Sequence, residues 1–329
     1  MPPKKKAANK RAPSKSQTKK KPEIKQTSSL LKSVTAIFII VAIATTAGFL
    51  AHLFLPPKRP AIIKKPSSII KKIPAPPVFE IYTKEEPDYH PPATLPVKPK
   101  NSHVLPFVSI IIDDLGYDYH LATGFLELNT DLTFSILPHS PHGTEIAELA
   151  HQKNVEIMLH LPMEPFNYPK ADPGPGTLFE SMSPDKLIDQ LTANLDSIPY
   201  IKGVNNHMGS KISTNEPQIH QIFSILKKRN LFFIDSRTTN KTICQPAARL
   251  FQIPFAQRNI FLDNRQDAVE VQKQIFKLVK MAESKGEVVG IGHAYQITLD
   301  VLRELLPWMK QKVTIVPASK IAHLVETQI

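Results

Sequence analysis

Apolar positions follow two textures along the chain. Residues 33–55, S-V-T-A-I-F-I-I-V-A-I-A-T-T-A-G-F-L-A-H-L-F-L, form one unbroken run without Asp, Glu, Lys or Arg. From about residue 104 the texture changes to short β-branched runs alternating with longer amphipathic stretches. The short runs predict strands at 107–113, 132–137, 155–160, 202–206, 231–235, 258–262, 287–292 and 313–316. The amphipathic stretches predict helices at about 119–128, 143–153, 184–197, 216–229, 265–285, 298–311 and 319–326. Ser183-Pro184-Asp185 is a helix start, with Ser at the N-cap and Pro at the first helical position. Apolar strands that alternate with helices imply a parallel sheet covered by helices. Seven or eight such units predict an α/β fold, a distorted (β/α) barrel of parallel strands, with a doubly wound open sheet as the alternative.

Charge divides the chain further. The formal net charge is +12, yet residues 1–32 hold eleven Lys/Arg against the single acid Glu23. Residues 104–329 carry a slight acidic excess. The folded part therefore lacks the clustered Lys/Arg that nucleic acid demands, and no nucleic-acid partner is expected. The basic tail, residues 1–32, is expected to be disordered. As a helix, residues 33–55 would reach roughly 35 Å at ~1.5 Å per residue, enough for a ~30 Å hydrocarbon core. With the Lys cluster just before it, this predicts one transmembrane helix, a signal anchor with a cytoplasmic N-terminus. Everything after it is then outside the cytoplasm. A cleaved signal peptide is the rival reading, for which leader and run are both long. Residues 56–103 contain twelve prolines with Lys pairs between them, an extended linker. The domain proper is 104–329. Its one cysteine, Cys244, excludes an intrachain disulfide and a cysteine-cluster zinc site.

In either architecture, functional groups stand at the C-terminal ends of the strands. There the sequence places Asp113-Asp114, His139, His160, Asn205-Asn206-His207, Asp235-Ser236-Arg237 and His293. Each alone has a plain structural reading, as a turn residue, a helix cap or a hydrogen-bonded core histidine. Together they collect acids and imidazoles at one end of one sheet. Asp and His suit zinc or a similar divalent ion, and one Asp with two His leaves positions open for water and substrate. The acid doublet becomes intelligible beside a cation, which offsets its repulsion. One carboxylate can bind the ion while the other accepts a proton from water. No G-x-S-x-G elbow surrounds Ser109, Ser210 or Ser236, and no phosphate-cradling glycine motif occurs.

The blocks I-I-I-D-D-L-G, M-L-H-L-P-M-E-P, G-V-N-N-H-M-G-S, F-F-I-D-S-R-T-T and G-I-G-H, in this order, resemble the divergent polysaccharide deacetylase family. That family is a distant branch of the NodB-type carbohydrate esterases, and the resemblance covers about residues 104–325. It implies a metal-dependent deacetylase ancestry. It assigns Asp113 as catalytic base, Asp114 as metal ligand and His293 as general acid. The family's ligand histidines come as a His-x-x-x-His pair, whereas here His160 is followed four residues later by Glu164. His207 is the expected replacement ligand, and Glu164 is the alternative. Asp235 is expected to orient His293 or Arg237, and Arg237 to bind an anionic substrate group. Asn205 and Asn206 are expected to orient ligands. The implied protein is a metal-dependent hydrolase of N-acetylated envelope glycan, with zinc or a related divalent ion, anchored in a bacterial inner membrane with its domain periplasmic. The alternative is an inactive envelope protein that binds glycan or a protein partner through the barrel.

Overall fold

The computed structural model describes residues 34–46 and 105–326. Residues 34–46 form a helix, α1. Among the described residues no helix is long and apolar enough to cross a membrane. The expectations for the basic tail, for residues 47–55 of the apolar run and for the linker fall outside the described residues.

The domain begins with β1 (Phe107–Leu115), α2 (Tyr119–Leu126), β2 (Thr133–Ile136), α3 (Gly143–Gln152) and β3 (Glu156–Met163). It continues with α4 (Pro184–Ser197), β4 (Gly203–Met208), α5 (Glu216–Lys228), β5 (Phe232–Asp235) and α6 (Cys244–Phe251). Then come β6 (Pro254–Gln257), β7 (Ile260–Phe261), α7 (Ala268–Lys285), β8 (Glu287–His293) and α8 (Gln296–Met309). Two short strands, β9 (Thr314–Ile315) and β10 (His323–Leu324), close the order.

The strands form one sheet in the order β10-β6-β5-β4-β3-β2-β1-β8-β7, with β9 also pairing β1. Every pairing is parallel except that of β10 with β6. β6 and β7 lie at opposite margins of the parallel path, yet only Arg258 and Asn259 separate them in sequence. Arg258 N donates to Asp235 O on one margin, and Asn259 N donates to Val289 O on the other. The sheet is thus a curled, parallel half-barrel whose margins meet on one kinked run of chain. The predicted strand 258–262 falls on this run, which begins four residues earlier, at Pro254, and is split by the kink.

Alternation along each strand separates two apolar layers. Val108, Ile110 and Ile112 face outward, where they pack with Phe125, Ile146, Leu187, Phe223, Leu278 and Leu302 of the helices. Ile111 faces inward with Met158, Ile234, Val289 and Ile291. Val316, Ala318, Ile321 and Ala322 complete this inner layer. The predicted helix 319–326 is therefore corrected. The segment is a single 3-10 turn, Ala318–Lys320, followed by β10. Its apolar residues are drawn into the half-barrel, and Ala318 N donates to Thr133 Oγ1. Above the inner apolar layer, at the C-terminal strand ends, the inward residues turn polar.

Local signals explain the helix starts. Asp118 caps α2 by accepting from Leu121 N, and Asp267 caps α7 by accepting from Val269 N and Glu270 N. Ser183 stands at the N-cap of α4 with Pro184 next, but its side chain makes no capping hydrogen bond.

Candidate metal centre

Neighbouring residues of a regular strand point to opposite faces. β1 escapes that rule at its C-terminal end. Ile112 pairs with Phe134 and Leu115 with Ile136, so three steps on β1 match two on β2. The extra residue is a bulge. Asp114 takes the left-handed conformation there, at φ 61°. The consequence is direct: His160 Nε2 lies 3.7 Å from Asp113 Oδ2 and 3.1 Å from Asp114 Oδ1, so both carboxylates reach one imidazole nitrogen. Gly116 follows at φ 129°, and a Cβ there would fall 2.1 Å from Ser140 Oγ. Only glycine fits this turn. Left-handed residues also stand at the ends of β2, β4 and β5, namely His139, Met208 and Arg237. Four left-handed residues thus stand on the rim that carries the polar residues.

Asp114, His160 and His207 present one donor atom each in a tight triangle. Asp114 Oδ1 is 2.9 Å from His207 Nδ1 and 3.1 Å from His160 Nε2, and the two imidazole nitrogens are 3.1 Å apart. All three residues are buried. Both Asp114 oxygens are buried and accept no well-formed hydrogen bond, despite these short contacts. Donors that converge on a shared point, instead of on one another, give that pattern. A tetrahedral zinc site with bonds of ~2.0–2.2 Å separates its donors by roughly 3.3 Å. The triangle meets that with a few tenths of an ångström of expansion, and its carboxylate and two imidazoles are a zinc-type donor set. The residues present fit a divalent cation.

Electrostatics agrees. Burial works against ionisation of Asp114, but the imidazoles of His207 and His160 outweigh it and hold the carboxyl well below the usual range. Asp113 goes the other way. Burial pushes it up, against the pull of His160 and His293 and with the help of Asp114. Two adjacent acids thus acquire opposite protonation preferences, one suited to binding a cation and one to taking a proton.

Asn205 lies under the doublet. Its Nδ2 donates to Asp113 Oδ1 at 2.8 Å, while its Oδ1 meets His160 Nδ1 at 2.9 Å and accepts from Ser135 Oγ at 2.5 Å. On the other wall stands His293, paired with Asp113 across β1 and β8. Its Nε2 is 3.9 Å from Asp114 Oδ2 and its side chain is 17% exposed, the group of this centre that meets solvent. His293 Nδ1 donates to Asp263 Oδ1 at 2.7 Å, and His293 N donates to Asp263 Oδ2 at 2.6 Å. Burial opposes protonation of His293, but the Asp263 charge and hydrogen bond outweigh it and push its pKa up to about 10.

The structure brings together Asp113, Asp114, His160, His207 and His293, with Asn205 beneath them. Asp235 holds the second of its two expected partners, Arg237: it accepts from Arg237 N and from Thr242 Oγ1. Arg237 is buried, with Nη1 donating to Gln257 Oε1. Asn206 ties β4 to β5 by accepting from Ser236 N, while its Nδ2 donates to Met208 O. Glu164 is committed to Lys211 Nζ at 2.8 Å and to Glu180 N at 2.7 Å. It stands apart from the triangle. The partner of His293 is Asp263, a residue the sequence reading passed over. Its signal was present, because Asp263 directly follows the predicted strand 258–262, at the same C-terminal end as the others.

The match to known proteins covers this whole domain. The family model described as divergent polysaccharide deacetylase matches residues 110–322. The uncharacterized protein YibQ of Escherichia coli strain K12 is 32% identical over 216 residues, 66% of this chain and 67% of that protein. An uncharacterized protein of Haemophilus influenzae is 28% identical over 196 residues, 60% of this chain and 69% of its own length. The crystal structure of the uncharacterized protein ATU2773 from Agrobacterium tumefaciens C58 superposes with a TM-score of 0.64. It is 21% identical and covers 68% of this chain and 92% of that one, a likeness of fold.

Proposed function

The chain belongs to the divergent polysaccharide deacetylase family, and from that premise we propose that it removes acetyl groups from an N-acetylated glycan of the cell envelope. The observation that carries the proposal is the triangle of Asp114, His160 and His207, with all three donors within 3.1 Å of one another. His207, from β4, supplies the donor that the sequence lacks at residue 164. These three residues would hold a divalent cation, zinc by the character of the donor set. Such a cation, when bound, lowers the pKa of water and polarises a carbonyl.

The chain's own residues divide the proton work. Asn205 occupies Oδ1 of Asp113, which leaves Oδ2 to take a proton from the attacking water. Burial favours the protonated product of that transfer. Asp263 holds Nδ1–H of His293, so Nε2–H faces the mouth and donates to the leaving amine nitrogen. The Asp263 carboxylate favours the protonated ring of His293. Water and an acetamide become acetate and a free amino sugar.

Residues 33–55 support anchorage of this domain to the inner membrane, with residues 1–32 cytoplasmic and the linker spanning toward the cell wall. The test is acetate release from chito-oligosaccharides and peptidoglycan by the purified chain, with metal content measured alongside. Active wild type that loses both metal and activity as Asp114→Ala supports the proposal. A wild type that takes up no stoichiometric divalent metal when zinc is supplied overturns it.

A further inference from the structure

We propose that Asn205 is the positioning residue that presets both halves of this centre: it selects the nitrogen of His160 that faces the cation and the oxygen of Asp113 that takes the proton. The inference rests on the deacetylase reading for its Asp113 half only.

The argument runs through one carboxamide. Asn205 is fully buried in β4, with His160 as its register partner on β3 and Ile234 on β5. Asn205 Nδ2 donates to Asp113 Oδ1 at 2.8 Å. That orientation turns the carbonyl oxygen toward Ser135 Oγ and His160 Nδ1. A carbonyl only accepts, so His160 must carry its proton on Nδ1. Nε2 then offers a lone pair beside Asp114 Oδ1 and His207 Nδ1.

Without the amide, local electrostatics favours the wrong arrangement. An Nε2–H on His160 would be attracted by the carboxylates, 3.1 Å from one Asp114 oxygen and 3.7 Å from one Asp113 oxygen, and would block the cation. Asn205 makes that arrangement costly, because two donorless faces, Nδ1 of His160 and the amide oxygen, would meet inside the protein. The same amide removes Oδ1 of Asp113 from the choice of base. A plain cross-strand structural role for Asn205 predicts none of this selectivity.

Two variants separate the halves. Asn205→Asp keeps both acceptor contacts but cannot donate to Asp113, and it adds a like charge. It is expected to bind Zn²⁺ within about threefold of wild type or tighter, in line with carboxylate–histidine–zinc arrangements. Its kcat is expected to fall ~100-fold or more with KM little changed, as for loss of a general base. Asn205→Ala is expected to weaken Zn²⁺ binding ~10–100-fold, the usual cost of losing a ligand's hydrogen-bond partner. Nitrogen-15 NMR of the histidine-labelled, zinc-loaded full chain reads the tautomer directly. Nδ1–H is expected on His160 in wild type and in Asn205→Asp. Zinc affinity unchanged in folded Asn205→Ala, or an Nε2–H tautomer in the wild type, overturns the His160 half. Should Asn205→Ala not fold, the wild-type tautomer and Asn205→Asp affinity decide that half. Near-wild-type kcat in Asn205→Asp overturns the Asp113 half. A wild type that binds zinc but releases no acetate sinks the deacetylase reading and the Asp113 half with it, while affinity and tautomer still decide the rest.

Discussion

Replacing Asp263 by Asn removes a charge and leaves the volume. Asp263 is buried and accepts from the His293 region on both oxygens: Oδ1 from His293 Nδ1, and Oδ2 from His293 N and Thr298 Oγ1. The pKa of His293 stands at about 10 even though burial opposes its charge, and Asp263 is the foremost of the groups that raise it. Against an ordinary value of ~6.5, the rise corresponds to roughly 5 kcal/mol of preference for the charged ring. Asp114 and Asp113 supply the smaller part. Asn should therefore lower the pKa by about 2 or more, roughly 2.7 kcal/mol. The assay is an NMR titration of the His293 ring in the metal-free chain, with urea unfolding at several pH values beside it. A folded-state pKa above the unfolded value contributes stability that is full below ~6.5 and is lost as pH rises through about 10. The stability difference between wild type and Asp263→Asn should thus be largest below pH ~6.5 and shrink toward pH ~10. A His293 midpoint that stays within half a unit of wild type, or a stability difference flat across that window, refutes the reasoning.

Zinc at a hundredfold excess over its Kd should stabilise the domain by about 2.7 kcal/mol. For a domain of this size that raises Tm by roughly 5–10 °C in a thermal melt, and the rise should vanish in His207→Ala. Glu164→Gln should leave zinc affinity within about twofold by competition titration, because Glu164 is engaged with Lys211 and Glu180 N. A tenfold loss would restore it as a ligand. Gly116→Ala should cost at least about 2 kcal/mol in urea unfolding, since it combines a positive φ with a Cβ 2.1 Å from Ser140 Oγ. A cost under ~0.5 kcal/mol would mean the turn relaxes freely.

The parallel strands and most helices were legible because their apolar periods are long and clean. The triangle was legible too, since strand ends mark one rim and imidazoles on β3 and β4 must then be neighbours. What failed has physical causes. Cys244-Gln-Pro-Ala-Ala-Arg-Leu-Phe251 carries Pro246 and spans only eight residues, so it is not among the predicted helices. It is α6, because Pro is tolerated in a first turn and Ala247 and Ala248 pack inward. Residues 319–326 look amphipathic, yet tertiary burial of Ile321 and Ala322 and pairing with β6 override the period. Asp235 and Asp263 both follow a strand, and spacing cannot say which faces His293. That choice depends on the kink at Arg258 and Asn259, which carries β7 across to pair with β8. The bulge that lets Asp113 and Asp114 share a mouth is likewise a matter of pairing register, which no single strand records.

The three donor residues lie 46 and 47 positions apart along the chain, on β1, β3 and β4. No local segment can assemble them, and β2 must be seated between two of them first. Such non-local closure belongs to the late part of folding. A cation that recognises only the finished triangle finds little to hold in the transition state. It should therefore leave the folding rate nearly unchanged and slow unfolding by almost its full stabilisation. Bound metal would act on this domain as a kinetic lock: it would do little to speed assembly and would lengthen the life of each molecule once its strands have met.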